Sequence, residues 1–181
     1  MKPVLVLLLV LNLACAPPSS NGLPDGYETA APAYLVLTQK ALSYQADFDT
    51  EAWGQMLTDS VEFITPDGQV VWHGKPAVLA GWQQWRKQVG AERMYLTDLT
   101  SLPIQITEPV PLWEKTGVYV VSYCTAHLML RNGRQTDLLL NLCCHFDASG
   151  HIDRYLFLHQ QPASDLITRK PVPVLKTAFH F

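Results

Sequence analysis

The stretch that decides the fold is Gly117–Gln160, GVYVVSYCTAHLMLRNGRQTDLLLNLCCHFDASGHIDRYLFLHQ. Asn132-Gly133 is typical of a two-residue hairpin turn, because both central residues of a type I′ turn need a positive φ. Ala148–Gly150 is typical of a three-residue loop with glycine in the left-handed position. The runs between these turns are rich in Val, Tyr, Leu and Cys, which favour strands. They predict three antiparallel strands: Gly117–Arg131, Arg134–Asp147 and His151–Gln160.

Strands of this length form a strongly bent sheet with a concave face. Helical spacing and turn signals organise the chain before it. A first helix is predicted over 33–48, and a second, short helix carries Trp53, Met56 and Leu57 behind a cap at Asp49 or Thr50. A hairpin is predicted over 61–65 and 69–72, with its turn at Pro66–Gly68. A third helix is predicted from His73-Gly74-Lys75-Pro76 to about 89, and a further strand over 94–107.

The composition suits one globular domain with short appendages. The chain has 181 residues, of which 48% are hydrophobic, and a formal net charge of −3. Without a basic stripe, this charge gives no electrostatic case for nucleic acid. The expected partner is a small molecule or a second copy of the chain, and no cofactor is expected.

The N-terminus predicts export. Lys2 precedes an apolar segment, Val4–Leu11, that is too short to span a bilayer as a mature helix. Ala14-Cys15-Ala16 suits signal-peptidase cleavage, and Ala14-Cys15 also resembles a bacterial lipoprotein signal in which Cys15 becomes lipidated. Both interpretations stay open. We favour a periplasmic or cell-surface protein anchored to the membrane through Cys15.

The segments then follow: a signal over 1–16, a flexible linker over 17–32, a domain over 33–161 and a C-terminal tail over 162–181. Three cysteines lie in the domain. Cys143 and Cys144 are neighbours and point to opposite faces of a strand. A Cys124–Cys143 bridge is one alternative, and small buried thiols are the one we favour.

Several short segments, in this order, resemble the nuclear transport factor 2-like superfamily and its SnoaL-like members. They are Asp47-Phe48-Asp49, Trp53, Leu57–Phe63, His73–Val78 and Gly150–Tyr155. The resemblance covers about 33–161. It implies an α+β conical fold, in which a strongly curved antiparallel sheet wraps around three helices and a deep apolar pocket.

The resemblance implies several activities, since members include isomerases, polyketide cyclases, epoxide hydrolases, dehydratases and non-catalytic binding or association modules. A shared fold does not decide between them. The family's catalytic carboxylates have their nearest counterparts here at Phe63 and Phe157, so an enzyme of this fold needs different machinery.

The turns also predict which side chains share a face. Under the two-residue and three-residue loops, His145 lies opposite both Val120 and Asp153, and Cys143 lies opposite Ser122 and Tyr155. We expect one face, taken as the concave one, to hold Val120, Ser122, Cys124, Asn141, Cys143, His145, Asp153, Tyr155, Phe157 and His159. A slip of one residue in either loop inverts this assignment.

His145 and Asp153 are the predicted acid–base pair, because a carboxylate can orient an imidazole as a general base. Tyr155 is the third candidate, as a hydrogen-bond donor to a developing oxyanion. The alternative is a pair at the solvated rim without a catalytic role. Pocket-lining candidates are Trp53, Phe63, Trp72, Trp82, Trp85, Ser122, Asn141, Cys143, Phe157 and His159.

The four tryptophans in that set also suit a plain hydrophobic core. The histidine and cysteine spacing predicts no metal site. The function we favour is an exported domain that binds a small apolar or aromatic molecule without chemistry. Two alternatives stay open: a SnoaL-like isomerase, dehydratase or cyclase that uses His145 and Asp153, and a non-catalytic module that forms a homodimer.

Overall fold

The computed structural model describes residues 23–64, 70–110 and 115–160, and the side chains of these except at 70 and 157–160. Within them the order of elements is β1 (Tyr27–Thr29), α1 (Ala33–Ala46), α2 (Thr50–Gly54), β2 (Leu57–Ile64), β3 (Val70–His73), α3 (Lys75–Val89), β4 (Ala91–Ile106), β5 (Gly117–Leu130), β6 (Gln135–Phe146) and β7 (Ile152–Gln160). The predicted signal, Cys15, the Pro66–Gly68 turn and the C-terminal tail lie outside the described residues.

One curled sheet carries all seven strands, in the order β1-β4-β5-β6-β7-β2-β3. The β2–β7 pair is parallel and the other pairs are antiparallel. The helices pack against the concave face, α1 on β4 and β5 and α3 on β2, β3 and β4. This arrangement is the predicted α+β cone, and the prediction of the fold class is confirmed.

Local sequence signals set the helix ends. The Asp49 carboxylate accepts a hydrogen bond from the Ala52 amide at 3.0 Å, which caps α2 as predicted. Pro76 stands in the first turn of α3, where its missing N–H leaves no bond unmade. Gly90 ends α3 in the left-handed conformation, with φ of 69°. The second helix is shorter than its pattern suggests, because Leu57 already begins β2.

The first turn of the three-strand run differs from its prediction by one residue. The Leu130 amide donates to the Arg134 carbonyl at 2.8 Å, so the loop is Arg131-Asn132-Gly133, with Gly133 at φ 79°. This is the three-residue hairpin in which glycine takes the left-handed position. As a result Cys144, not His145, lies opposite Val120. The predicted β5–β6 register is wrong, and every β6 side chain takes the opposite face.

The second turn follows its prediction, and the strand after it then shifts. The Asp147 amide donates to the His151 carbonyl at 2.8 Å across a three-residue loop. Asp153 is an extra residue of β7 between the pairs His145–Arg154 and Phe146–Ile152, and this bulge moves the β6–β7 register by one residue. Tyr155 therefore lies opposite Cys144 and returns to the concave face, while Cys143 does not join it.

The two faces of the sheet have different contents. The concave face packs with the helices into the main core, to which β6 contributes Leu138, Leu140, Leu142, Cys144 and Phe146. The convex face has a smaller buried cluster of Ile106, Tyr119 and Cys143. Cys124, Cys143 and Cys144 are all free and buried. Because Cys124 and Cys143 lie on opposite faces, the alternative of a bridge between them is wrong.

The predicted linker includes a strand. Tyr27–Thr29 forms β1, which pairs with Ile104–Ile106 at the edge of the sheet. The sheet thus includes residues before the predicted start of the domain at 33. No helix of the described part is both long enough and apolar enough to cross a membrane.

Candidate functional site

Aromatic side chains are clustered inside the cone. Trp82 and Trp85, one turn apart on α3, stack with centroids 4.5 Å apart and planes inclined by 14°. Trp53 meets Trp82 edge-on at 6.1 Å. From the sheet, Phe63 stacks on Tyr155 at 6.0 Å. These five side chains are all buried. They form one continuous aromatic wall from α3 to β7.

Tyr155 is a neutral hydrogen-bonding group within this wall. Its hydroxyl accepts a hydrogen bond from Trp53 Nε1 at 3.0 Å and also forms a hydrogen bond with the side chain of Cys144. Burial raises the pKa of Tyr155 well above its ordinary value, and burial does the same to the pKa of Cys144. Both groups therefore keep their protons at neutral pH, and neither supplies a nucleophile or a base.

Polar atoms without partners interrupt the apolar interior. Among the described residues, four buried side-chain nitrogen or oxygen atoms lack a hydrogen-bond partner: Thr38 Oγ1, Gln45 Nε2, Thr58 Oγ1 and Trp85 Nε1. Thr38, Gln45 and Trp85 are 0%, 5% and 3% exposed. Folded proteins keep few such atoms, because each loses its bonds to water without compensation. These three are the most unusual polar groups of the interior.

The three atoms come from facing elements. Thr38 and Gln45 are seven residues apart on α1, so they share a side of that helix about 10 Å apart along its axis. The Gln45 carbonyl accepts a hydrogen bond from Trp82 Nε1 at 3.2 Å, and Trp82 stacks on Trp85. We call Thr38, Gln45 and Trp85 the interior donor set. The sequence-based candidates include only Trp85 of these.

The backbone is strained beside the interior donor set. Phe48 is buried and has a φ of 58°, a conformation that costs a bulky residue free energy. Its ring stacks on Trp82 at 6.1 Å, and the Arg86 guanidinium lies 4.1 Å from the ring centroid. Such strain persists only where the surroundings hold it, and it is concentrated at functional sites.

His145 and Asp153 form a contact on the other side of the sheet. His145 Nδ1 is hydrogen-bonded to Asp153 Oδ1, and the second carboxylate oxygen accepts from Lys115 Nζ at 3.0 Å. His145 Nε2 lies 3.1 Å from the Thr116 carbonyl oxygen. The His145 ring packs on Tyr119 of the convex cluster at 4.5 Å. The predicted pair thus meets, but on the convex face.

The bonding leaves His145 poorly suited to act as a base. A carbonyl oxygen only accepts, so Nε2 donates to Thr116. Burial raises the pKa of Asp153, but the hydrogen bonds from His145 and Lys115 outweigh burial and hold it below the ordinary value. The ionised carboxylate accepts from Nδ1. Both ring nitrogens are thus engaged by groups of the chain itself, and neither is free to meet another molecule.

Convex-face residues around this pair are also held in their protonated forms. Burial raises the pKa of the Tyr119 hydroxyl to about 12 and that of the Cys143 thiol to about 12. Gly117 lies against the imidazole, since a Cβ built there would be 2.6 Å from His145 Nε2. This convex network connects the segment before β5 to His145 of β6 and to the bulge at Asp153 in β7.

A second histidine pair also lies on the convex face. His127 contacts Asp137 through Nδ1 at 2.8 Å and Thr97 Oγ1 through Nε2 at 2.9 Å. The order carboxylate–imidazole–hydroxyl resembles a nucleophilic triad. Here, however, the Thr97 hydroxyl donates to Asp98 Oδ2 at 2.9 Å. It must then accept from His127, which is the opposite of nucleophile activation.

The remaining sequence-based candidates are distributed over both faces. Trp53, Phe63, Trp72 and Ser122 lie in the interior, and Ser122 is bonded to Ser101 at 2.8 Å. Asn141 and Cys143 lie on the convex face, and there the predicted placement is wrong because of the β5–β6 register.

Phe157 and His159 pair with Leu142 and Leu140 through the backbone. Their side chains lie outside the described part. No group of three or more histidine, cysteine or acidic residues in that part is arranged to hold a metal ion.

Comparisons with known proteins show the fold. No protein-family model matches the chain, and no curated protein does. Among solved structures, a candidate SnoaL-like polyketide cyclase from Shewanella denitrificans superposes with a TM-score of 0.56 at 14% identity, covering 77% of this chain and 100% of that one. A candidate polyketide cyclase from Xanthomonas campestris gives 0.54 at 15% identity, covering 75% and 95%.

A second Shewanella protein, from S. putrefaciens, also described as a candidate SnoaL-like polyketide cyclase, gives a TM-score of 0.55 at 10% identity, covering 77% and 88%. At these identities the comparison concerns the fold and not the activity. The chain has the cone fold of nuclear transport factor 2-like and SnoaL-like proteins.

Proposed function

We propose that the protein binds a small, largely apolar molecule inside the cone, between α1, α3 and the concave face of the sheet. The observation that carries the proposal is the interior donor set, three buried polar atoms without partners. Each unmade bond costs about 1–3 kcal/mol in the empty protein. A molecule that accepts hydrogen bonds from these atoms removes that cost on binding, which gives the interior its affinity.

The surroundings of the donor set support binding rather than chemistry. The buried rings of Trp82 and Trp85 make these surroundings apolar, and small-molecule sites combine apolar surroundings with a few placed polar groups. Burial raises the pKa of each of three titratable interior groups, Cys124, Cys144 and Tyr155, so they stay protonated at neutral pH. The strained Phe48 adjoins the same place.

A titration with prodan, a flat neutral ketone whose emission shifts to the blue in apolar surroundings, tests the proposal. We expect saturable binding with a blue shift. Gln45→Leu removes one hydrogen-bond donor and should weaken the binding about fivefold. Gln84→Leu changes an exposed glutamine on α3 and serves as the matched control. Equal affinities of the two variants, or no saturable binding, would contradict the proposal.

The alternative of an isomerase, dehydratase or cyclase that uses His145 and Asp153 has less support. The pair is formed, but it lies on the convex face with both imidazole nitrogens occupied, and Tyr155 lies on the concave face. If His145→Gln kept prodan binding unchanged and abolished a measured isomerase or cyclase turnover, the enzymatic alternative would replace the binding function.

A second proposal concerns the convex face, where we propose that two copies of the chain associate. Leu102, Tyr123 and Leu139 are 60%, 54% and 54% exposed on the neighbouring strands β4, β5 and β6. Sedimentation velocity tests it: we expect a dimer that Leu139→Lys dissociates. Val36→Lys, at a position on α1 that is 65% exposed, leaves the dimer intact as the control. If the wild-type protein sediments as a monomer at every concentration, the proposal is wrong.

We also propose that Cys15 anchors the protein to a membrane after export. The support is the position of Cys15, which follows Ala14 and is separated by three residues from the apolar segment Val4–Leu11. Mass spectrometry of the protein from a bacterial membrane fraction tests this, with an acylated Cys15 expected. An unmodified N-terminus beyond Cys15 would show soluble secretion instead.

A further inference from the structure

Four exposed cations lie together at one end of the cone. Lys87 and Arg93 flank the turn that joins α3 to β4, and Arg131 and Arg134 flank the tip of the β5–β6 hairpin. The backbone joins these two turns, because the Arg131 amide donates to the Gly90 carbonyl at 2.9 Å. We call Lys87, Arg93, Arg131 and Arg134 the basic end.

The basic end has no carboxylate partner in the described part of the chain. None of the ion pairs found there involves any of its four cations. Elsewhere in that part, three cations each form an ion pair with a carboxylate: Lys75, Lys115 and Arg154. The segments 86–93 and 131–136 contain a single acidic residue, Glu92, although the whole chain has a net charge of −3. The basic end is therefore a local excess of positive charge.

Structural roles explain only part of this charge. Arg86 and Lys87 stand in the last turn of α3, where cations interact favourably with the helix dipole. Arg86 is half-buried and donates to two backbone carbonyls, so it supports the turn itself. The other three cations of the basic end lie outside the helix. The next carboxylate along β6, Asp137, is bonded to His127.

The turns that carry the basic end are open on their outer side. Gly90 and Gly133 take the left-handed conformation there, with φ of 69° and 79°. A Cβ built on either glycine meets no other atom of the described residues within 4 Å. Positive charge on two neighbouring open turns suits a broad anionic surface better than a single small anion.

The residue types indicate which anionic surface fits. Arginine favours phosphate, because its guanidinium can donate two parallel hydrogen bonds to that group. The segments 86–93 and 131–136 carry no aromatic residue, whereas proteins that bind single-stranded nucleic acid combine cations with aromatic rings. We propose that the basic end binds the anionic phospholipid headgroups of a bilayer. This choice of partner rests on the proposed anchoring through Cys15, which would place the domain beside a bilayer.

The proposed anchor and the basic end belong to opposite ends of β4. The strand that follows the anchor along the chain, β1, pairs with Ile104–Ile106, whereas the basic end adjoins Ala91. At about 3.3 Å per residue, the two ends are up to about 50 Å apart along the strand. The chain from Cys15 to Tyr27 spans at most about 40 Å. Contacts at both ends would hold β4 along the membrane, so the basic end sets the orientation of the cone.

Vesicle co-sedimentation of the full chain tests this inference. Vesicles of phosphatidylcholine mixed with phosphatidylglycerol are anionic, and vesicles of phosphatidylcholine alone are neutral. We expect tighter binding to the anionic vesicles, and this preference should disappear at a salt concentration of about 0.5 M. Each cation removed should reduce the preference about fivefold, so Arg131→Gln combined with Arg134→Gln should reduce it about 25-fold.

A second pair of changes, Lys87→Gln with Arg93→Gln, should have the same effect and covers the case in which the first pair does not fold. Lys40→Gln with Lys75→Gln removes the same charge elsewhere and is the matched control. Comparing the two kinds of vesicle within each variant cancels any contribution of the N-terminal apolar segment.

Equal binding of the wild-type protein to both kinds of vesicle, or the same preference in the basic-end variants as in the control, overturns the inference. Tighter binding to duplex DNA than to anionic vesicles overturns the choice of lipid as the partner. A preference that depends on the basic end supports the inference even if mass spectrometry finds Cys15 unmodified. The inference and the proposed anchoring can therefore fail separately.

Discussion

Thr38→Val gives the most direct test of the interior donor set. Thr38 is fully buried on α1, and its hydroxyl has no partner. Valine has nearly the same shape and replaces the hydroxyl by a methyl group. The change removes an uncompensated polar group, worth about 1–3 kcal/mol, and buries a methyl group, worth about 0.8 kcal/mol. Allowing for imperfect repacking, we expect the empty protein to gain about 1–2 kcal/mol of unfolding free energy.

Urea unfolding followed by tryptophan fluorescence measures this gain as a higher midpoint with an unchanged slope. The same variant should bind prodan less tightly, if the hydroxyl contacts the molecule. Thr100→Val, at an exposed position on β4, is the control and should change stability by less than about 0.5 kcal/mol. A loss of 1 kcal/mol or more in Thr38→Val would refute the reasoning, because it would show that the hydroxyl is already satisfied, for instance by water.

Three further variants test the packing and the convex network by the same urea assay. Gly81→Ala places a Cβ 2.1 Å from the buried ring of Trp72, and we expect a loss of about 3 kcal/mol; a loss below 1 kcal/mol would contradict the packing. Gly117→Ala strains the backbone, because φ is 129° there, and places a Cβ against His145. We expect a loss of about 2 kcal/mol of unfolding free energy, and a neutral change would contradict the contact with His145. Asp153 has a lowered pKa, so its contribution to stability is present above its ordinary value of 3.8 and is lost as the pH falls from there through the folded-state pKa. Asp153→Asn should lower the unfolding free energy by about 2 kcal/mol at pH 7, and it should reduce the loss of stability as the pH falls. If stability falls with pH in the variant as it does in the wild type, the lowered pKa of Asp153 is contradicted.

The fold was predictable because its signals are local and agree with one another. Asp49 caps α2, Pro76 begins α3, and two turns containing glycine divide the three-strand run. Each signal depends on the conformational range of one residue type. Their order then leaves few ways to close a curved sheet around the helices.

The register of β6 was not predictable from the same signals. Asn132-Gly133 suits both a two-residue turn and the last two residues of a three-residue loop, and the choice depends on packing across the whole sheet. With the longer loop, Cys144 faces the core and His145 faces outward. The bulge beside His145 then returns Tyr155 to the interior, and no residue type announces that bulge.

The interior donor set has a partial signal in the sequence. Thr38, Ala41, Leu42 and Gln45 are spaced i, i+3, i+4 and i+7, which is one face of a helix. Two polar residues at apolar positions of that face are an inconsistency that points to a functional role. Their lack of partners, however, depends on which atoms of α3 and the sheet come near, and only the folded chain determines that.

The separation of the two polar sets by the sheet has a mechanistic consequence. The ionisable groups His145, Asp153 and Lys115 lie on the convex side, where they are hydrogen-bonded to each other and to the backbone. The interior holds donors that do not ionise in the physiological range, Gln45 and Trp85. The molecule that we propose inside the cone would therefore meet hydrogen-bond donors there, while the His145–Asp153 pair lies across the sheet from it. This division supports the proposal of a binding function.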